Sequence, residues 1–331
     1  MQVGQLYKSY KKIPLINKIF RALADFIIYI LLLKYLDFFR NIVLQKLSSF
    51  NMIKINLIKI FLKDGNERLY LFNKVSFVVE KDLINWIDSF RNKDVFYDIG
   101  SNVGMFSIYA AKKKKLNVVC FEPHYANCET FLYNVRLNNV EKNIILFPLL
   151  LSNKIKISKF SLRDLTPSAA KNEITHAKSK YIIGENVNTN SKSKKKRNSE
   201  SILDSALTIN ALTDTLDNII NKYKLLRPTK VKIDVDGAEF IILNGFRGNL
   251  RYVSEIMIEM YERDVDYFKC YKDFKDKNIE TSKIKNDYFL GNKIEENFIK
   301  NPYFEEIEKL LRTYNFYKKS TFGNNILYAK Y

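Results

Sequence analysis

"DVFYDIGSNVGMFSIYAA", residues 94–111, decides the fold. It reads as a strand, a turn with two glycines and a helix, the layout in which many α/β proteins hold a nucleotide. Gly100 and Gly104 lack a Cβ, so the backbone can turn tightly and come close to a ligand. The G-x-G-x-x-G of dinucleotide binders is missing from this turn, and the chain has no G-K-[ST] phosphate loop.

Outward from this turn the same alternation continues. "NVVCFEP" reads as a strand, "NCETFLYNVRLNN" as a helix and "NIILFPLLL" as a strand; after an interruption come "DTLDNIINKY" helix, "KVKIDVDG" strand, "EFIILNGF" helix and "SEIMIEMY" strand. Alternating units with apolar, β-branched strands imply a mostly parallel sheet with helices on both faces. "FEEIEKLLRTYNFYKK" and "NNILYAKY" close the chain as a helix and one or two strands, with an antiparallel strand expected at the sheet edge.

The interruption, residues 152–211, starts with an alternating "KIKISKFSL" and includes a basic, low-complexity tract at 184–203 that cannot bury enough apolar surface to order itself. Before the main domain, residues 53–79 read as short lead-in strands ("IKINLIKIFL", "RLYLF", "VSFVV") around turn signals at Asp64-Gly65 and Asn73, and "DLINWIDSF" as a helix. The expected organisation is a helical extension over 1–50, lead-in elements over 51–92 and the main domain over 93–331.

In the extension, Pro14 can open a helix, and Ile16, Ile19, Phe20, Leu23, Ile27 and Ile30 recur at helical spacing. Two readings stay open: an interfacial anchor whose lysine-rich start "YKSYKK" meets anionic lipid, and an extension packed on the core or on a second subunit. The run "FIIYILLL" is far short of the ~20 apolar residues of a spanning helix, and no small-residue cleavage site follows it.

Composition sets the outer limits. The 331 residues, 47% hydrophobic and 14% aromatic, suffice for a real core. Three cysteines without metal spacing argue against a disulfide framework and for a reducing cytoplasm. The net charge of +19 attracts anions such as nucleic acid, an inner membrane face or a phosphorylated substrate, although abundant solvated lysines give the same number without a partner.

In an open parallel sheet the ligand lies beyond the carboxyl ends of the strands. Those ends carry Asp98, Gly100, Asn102 and Gly104; then Glu122, Pro123 and His124; then Asp234, Asp236, Gly237 and Glu239. Glu122, 24 residues after Asp98, is placed to accept hydrogen bonds from ribose hydroxyls. An acid at Asp98 suits a ligand with an ammonium and no phosphates, which S-adenosyl-L-methionine satisfies.

"VFYDIGSNVGMFSIYAA", "CFEP", "TLDNII", "VKIDVDGAEFIILNG" and "IMIEM" together resemble the FkbM-type S-adenosylmethionine-dependent methyltransferases, over roughly residues 93–262. The resemblance implies a class I, Rossmann-like methyltransferase fold and O-methyl transfer, often to a sugar hydroxyl of a glycan, polysaccharide or natural product. Carried onto this chain, it implies a cofactor turn of Asp98, Gly100, Asn102 and Gly104, with Glu122 on the ribose and His124 and Tyr125 beside the adenine. Asp236 stands where the family more often has Glu. Asp234, Asp236 and Glu239 are the catalytic candidates, Asp234 first, because a hydroxyl attacks better when a carboxylate takes its proton; helix capping is the alternative role, above all for Glu239. No metal is expected, although acids joined by Glu259 would suit Mg²⁺ or Ca²⁺. Thr166, Ser168 and Asn172 are further polar contacts, and His176 a remote alternative base.

Two rival functions differ in class. RNA methylation accords with the basic tract, but "KIDVDG" replaces the N-P-P-Y type of motif at that strand end, and "NPYF" at 301 lies elsewhere in the chain. A non-catalytic, membrane-associated relative would show a damaged turn or a missing ribose acid, and both are intact. The expected setting is polysaccharide biosynthesis in the cytoplasm, at or near the inner face of the membrane, on a glycan or small hydroxyl acceptor that a lipid can carry.

Overall fold

The computed structural model describes residues 19–20, 22–30, 35–36, 50–65, 67–162, 164–168, 173–174, 207–262, 299–322 and 324–330. The chain divides into two units, Met1–Ser49 and Phe50–Tyr331. In the first, residues 22–30 are helical. Large apolar side chains there, Phe26, Ile27 and Ile28 among them, are exposed. Among the described residues no helix is long and apolar enough to cross a membrane.

The second unit opens with a hairpin of β1 (Phe50–Ile55) and β2 (Ile58–Lys63). Its turn falls at Asn56-Leu57, both at positive φ, as a two-residue hairpin of inverted twist requires. The signal at Asp64-Gly65 thus marks the end of the hairpin instead of its turn.

The expected strands "RLYLF" and "VSFVV" are instead one helix, α1 (Glu67–Val79). Its buried stripe includes Leu69, Asn73, Ser76 and Phe77, so two polar residues interrupt the apolar periodicity. Asn73 is no turn residue: its side-chain amide donates to the Lys63 carbonyl at 2.9 Å and ties the helix to the end of β2. Helix α2 (Lys81–Asp88) follows directly and buries Leu83, Ile84, Trp86 and Ile87.

The main domain then runs β3 (Val95–Ile99), α3 (Met105–Lys114), β4 (Asn117–Phe121), α4 (Tyr125–Asn138) and β5 (Ile144–Phe147). Pro148 follows β5, and the chain leaves for a second sheet made of β6 (Leu150–Leu151), β7 (Lys156–Leu162), β8 (Glu173–Ile174) and β9 (Leu207–Asp214), in the order β6-β9-β7-β8. This sheet is what the sequence reads as an interruption; the tract at 184–203 lies outside the described residues, as do Asn172 and His176. The chain returns through α5 (Leu216–Lys222), β10 (Lys230–Ile233), α6 (Glu239–Asn244) and β11 (Glu255–Glu259). The short pair β12 (Tyr261–Glu262) and β13 (Ile299–Lys300), then α7 (Phe304–Thr313), β14 (Phe316–Phe322) and β15 (Asn325–Lys330) complete it.

The seven-stranded sheet has the order β14-β15-β11-β10-β3-β4-β5. Its five strands from β11 to β5 are parallel, whereas β15 and β14 form an antiparallel hairpin at one edge, so the edge carries two antiparallel strands. One apolar cluster covers one face and includes residues of the second sheet; the other covers the opposite face with α2, α3 and α4. The chain proceeds outward from β3 through β4 and β5, then crosses to β10 on the other side of β3. The sheet's switch point therefore lies between β3 and β10, where α/β sheets hold ligands.

Candidate functional site

The turn after β3 is built against the strand on the far side of the switch point. Gly100, Asn102 and Gly104 all have positive φ. A Cβ on Gly100 would overlap the Asp234 carbonyl oxygen, and one on Gly104 would overlap the Phe131 ring. Gly100 thus lets the turn lie on the end of β10, and Gly104 lets α3 start against α4.

Glu122 joins this turn to the end of β4. Its carboxylate accepts from the Asn102 N–H at 2.8 Å, the His124 N–H at 2.9 Å and the Asn127 side-chain amide at 3.2 Å. Burial raises its pKa to about 7, against the pull of those donors, and Asp236 adds to the rise. Of the roughly four acceptor positions of a carboxylate, three are taken, which leaves one for a ribose hydroxyl. His124 is buried and caps α4: Nδ1 accepts from the Asn127 N–H at 3.4 Å, and Nε2 lies 2.7 Å from the Asp164 carbonyl. The ring thereby fastens the segment containing Ser168, whose N–H donates to Asn127 at 2.8 Å.

Beneath the turn lies a buried charged cluster. Asp98, 1% exposed, accepts from the Ser107 hydroxyl at 2.5 Å through Oδ2. Among the described residues its Oδ1 accepts no hydrogen bond, since Lys232 Nζ stands 3.7 Å away, beyond bonding range. Lys232 is directly opposite Asp98 in the β3/β10 register and reaches Asp234 Oδ2 at 2.9 Å. Burial favours the neutral amine, but Asp234, Asp98 and Glu80 outweigh it and hold the ammonium above the ordinary lysine range. Burial pushes Asp98 upward, with Lys232 opposing. Glu80, at the junction of α1 and α2, faces the same charges; burial and then Asp234 raise its pKa to about 7, and its Oε2 is buried without a hydrogen bond among the described residues.

The loop after β10 carries the catalytic candidates in two different settings. Asp234 and Asp236 are half-buried, with Asp236 held at positive φ beside Gly237. Glu239 is fully buried. It accepts from the Gly237 N–H at 3.1 Å and the Val235 N–H at 3.3 Å, and from the Asn301 amide at 2.8 Å. It is the clamp of the Asp234–Gly237 loop and not the helix cap weighed for it above, since its backbone donors precede α6, whose N-cap Ala238 has no side-chain cap bond. "NPYF" at 301 is therefore next to this loop in space: Asn301 holds Glu239, and the Tyr303 ring stacks on Phe240 at 5.1 Å.

Sequence reasoning missed Glu80, Ser107, Lys232 and Asn301. A lysine inside the apolar run "VKI", in the strand that ends at Asp234, was the one available signal. Asp98, Gly100, Asn102, Gly104, Glu122, Asp234 and Asp236 come together at the switch point, with His124 and Glu239 just behind as supports. Among the described residues no group of three or more His, Cys, Asp or Glu side chains is arranged to hold a metal ion.

The residues fit S-adenosylmethionine. The two glycines let the turn close against the end of β10 and against α4. Asp98 Oδ1, Asn102 Oδ1 and Glu80 Oε2 are buried acceptors without donors among the described residues, a condition that costs about 1–3 kcal/mol each and that an ammonium relieves. The surrounding carboxylates would repel a pyrophosphate, which disfavours a dinucleotide.

The model of the methyltransferase FkbM domain matches residues 94–317. No curated protein matches the chain. Among solved structures, a methyltransferase FkbM from Methylobacillus flagellatus KT aligns at 12% identity over 72% of this chain and 44% of its own, with a TM-score of 0.37. The chain thus spans less than half the length of that protein. TYW2 of M. jannaschii in complex with AdoMet aligns at 10% identity over 85% of each chain, TM-score 0.35. TrmK of M. capricolum in complex with S-adenosyl-homocysteine aligns at 11% identity over 75% of this chain and 67% of its own, TM-score 0.36.

Proposed function

The chain belongs to the FkbM methyltransferase family, whose cofactor is S-adenosylmethionine, and on that premise we propose that it methylates a sugar hydroxyl of a glycan or surface polysaccharide. The observation that carries the reading is the pair of half-buried carboxylates, Asp234 and Asp236, at the strand end beside the cofactor turn. Bound there, the cofactor supplies a methyl group already activated by its sulfonium. What remains for the protein is to align the acceptor oxygen and take its proton. Asp234, anchored by Lys232, positions the acceptor or receives the proton, and Asp236 flanks it. The clamp of Glu239 and Asn301 fixes both in place.

The test is methyl transfer from isotopically labelled S-adenosylmethionine to surface polysaccharide, with mass spectrometry of that polysaccharide from cells with and without the gene. Loss of one methylene mass from the glycan is expected. Asp234→Asn and Asp236→Asn should lower transfer by about 10²-fold or more for the proton acceptor, with S-adenosylhomocysteine binding retained. An unchanged glycan together with undermethylated RNA would replace this reading with RNA methylation.

For the N-terminal segment we infer contact with an anionic lipid surface. Exposed Phe20, Leu23, Phe26 and Ile27 and the neighbouring lysines of "YKSYKK" combine apolar insertion with charge attraction. Full-length protein should sediment with vesicles containing phosphatidylserine, and a chain lacking residues 1–47 should not. A full-length protein that ignores such vesicles refutes the contact.

A further inference from the structure

Glu80 lies outside every motif that marks the methyltransferase domain, yet its carboxylate faces the centre of the site. Its backbone is fixed on both sides. Its N–H donates to the Ser76 carbonyl at 2.8 Å, and its own carbonyl accepts from Leu83 at 3.1 Å and Ile84 at 3.3 Å. The residue is thus the joint between α1 and α2, and its side chain is delivered toward Asp98, Lys232 and Asp234. Three carboxylates face one lysine ammonium, and that ammonium is committed to Asp234 at 2.9 Å. Two buried carboxylate oxygens of the group, Glu80 Oε2 and Asp98 Oδ1, then have no donor among the described residues. Asp98 is 1% exposed, so water does not reach it freely.

A ligand that completes this cluster must bring a positive charge with several N–H donors. Lys232 Nζ holds Asp234 at 2.9 Å and stands 3.7 Å from Asp98 Oδ1, too far to donate there, and a phosphate or carboxylate would add repulsion. An ammonium has three donors and the right charge. Glu80 comes from the lead-in helices and Asp98 from the sheet, so a group between them would also lock the lead-in unit onto the domain.

We propose that Glu80 is a ligand for the amino-acid end of the cofactor, taking the α-ammonium of S-adenosylmethionine together with Asp98. The proposal rests on the reading of S-adenosylmethionine as cofactor. It assigns a binding role to a segment before the methyltransferase motifs, and it makes the site incomplete without α1 and α2. The raised proton affinity of Glu80 accords with it, because a carboxylate short of cations is the one that a bound ammonium relieves.

Calorimetry on the full chain tests this with two ligands. S-Adenosylhomocysteine carries the ammonium and lacks the sulfonium charge; 5′-methylthioadenosine has the same nucleoside and no amino-acid tail. Glu80→Gln should weaken S-adenosylhomocysteine by tenfold or more and change 5′-methylthioadenosine by less than twofold. Equal losses for both ligands, or no loss for either, would overturn the role of Glu80 and leave the cofactor reading in place. Wild-type protein that binds neither ligand would overturn both. Should Glu80→Gln fail to fold, the wild type decides: it should bind S-adenosylhomocysteine at least tenfold tighter than the analogue with hydrogen in place of the α-amino group. Equal affinity for the two would end the proposal.

Discussion

Replacing Gly100 by alanine tests the construction of the site at its tightest point. The added methyl would fall far inside the 3.0 Å that β-carbons observe, and the atom it meets is the Asp234 carbonyl oxygen, which is backbone and cannot swing aside. Gly100 also holds φ +79°, a conformation that costs an L-residue about 1–2 kcal/mol. Relieving the overlap means moving the end of β10 away from the turn. That motion stretches the hydrogen bond from the Asp234 N–H to the Ile99 carbonyl, now 3.1 Å, with a loss of about 1 kcal/mol. Repacking of the surrounding core adds about 1–3 kcal/mol. The sum is about 3–6 kcal/mol, and at roughly 2–4 °C per kcal/mol for a large domain the melting temperature should fall by on the order of 10 °C or more. Thermal and urea unfolding measure this directly, with Gly65→Ala as the control. Gly65 is exposed, and a methyl there meets no backbone but only the Leu69 side chain, nearest at Cδ2, 3.0 Å, so its effect should stay within about 0.5 kcal/mol. Gly100→Ala that melts together with Gly65→Ala would show that the turn does not rest on β10, and the geometry of the cofactor site would have to be abandoned.

Three further outcomes are expected. Burial favours the protonated Glu255, but hydrogen bonds from Lys230, Lys319 and Trp86 prevail and bring its pKa to about 2. The stability it contributes is present above pH 4.5 and is lost as pH falls toward 2, up to about 3 kcal/mol by linkage; Glu255→Gln should flatten the acid limb of the urea midpoint against pH. Glu122, raised to about 7, acts with the opposite sign: its contribution is complete below pH 4.5 and is lost as pH rises through 7, so Glu122→Gln should flatten the neutral limb of the cofactor-free protein. A wild-type midpoint that rises steadily from pH 5 to 8 would contradict this. Asn301→Ala strips Glu239 Oε2 of its donor inside the core and should destabilise the protein by about 1–3 kcal/mol in urea unfolding, whereas a change below 0.5 kcal/mol would deny the clamp its importance.

The parallel sheet was legible because its strands are buried on both faces and therefore read as short apolar runs between helices of clear period. The glycine turn was legible because close backbone approach removes every alternative to glycine at Gly100. Helix α1 was not, since the polar residues Asn73 and Ser76 occupy its buried stripe, Asn73 through a bond to the Lys63 carbonyl that local sequence does not show. The hairpin turn escaped notice because Asn56-Leu57 adopts positive φ without a glycine. Lys232 stands inside an apolar run, and only the register against Asp98 reveals why a charge is there. Asn301 and Glu239 are 62 residues apart, and nothing in either local pattern announces the other.

The omissions at Lys232, Glu80 and Asn301 share one physical cause, and it locates the chemistry. A glycine or an apolar run states its requirement in its own neighbourhood, whereas a buried charge is tolerable only through partners, which come from distant segments. The site therefore gathers Glu80, Asp98 and Asp234 around one lysine, while the chain beyond β13 holds Glu239. Lys232 is what allows Asp98 and Asp234 to lie on adjacent strands below the turn, one buried and the other turned outward. Lys232→Met should consequently do more harm than the loss of either carboxylate alone, because it leaves both, with Glu80, facing one another without a counter-charge. Removing one member of a buried ion pair typically costs about 3–5 kcal/mol. The double variant Lys232→Met with Asp98→Asn should recover part of that loss, and a double variant no more stable than Lys232→Met would refute the coupling on which this arrangement depends.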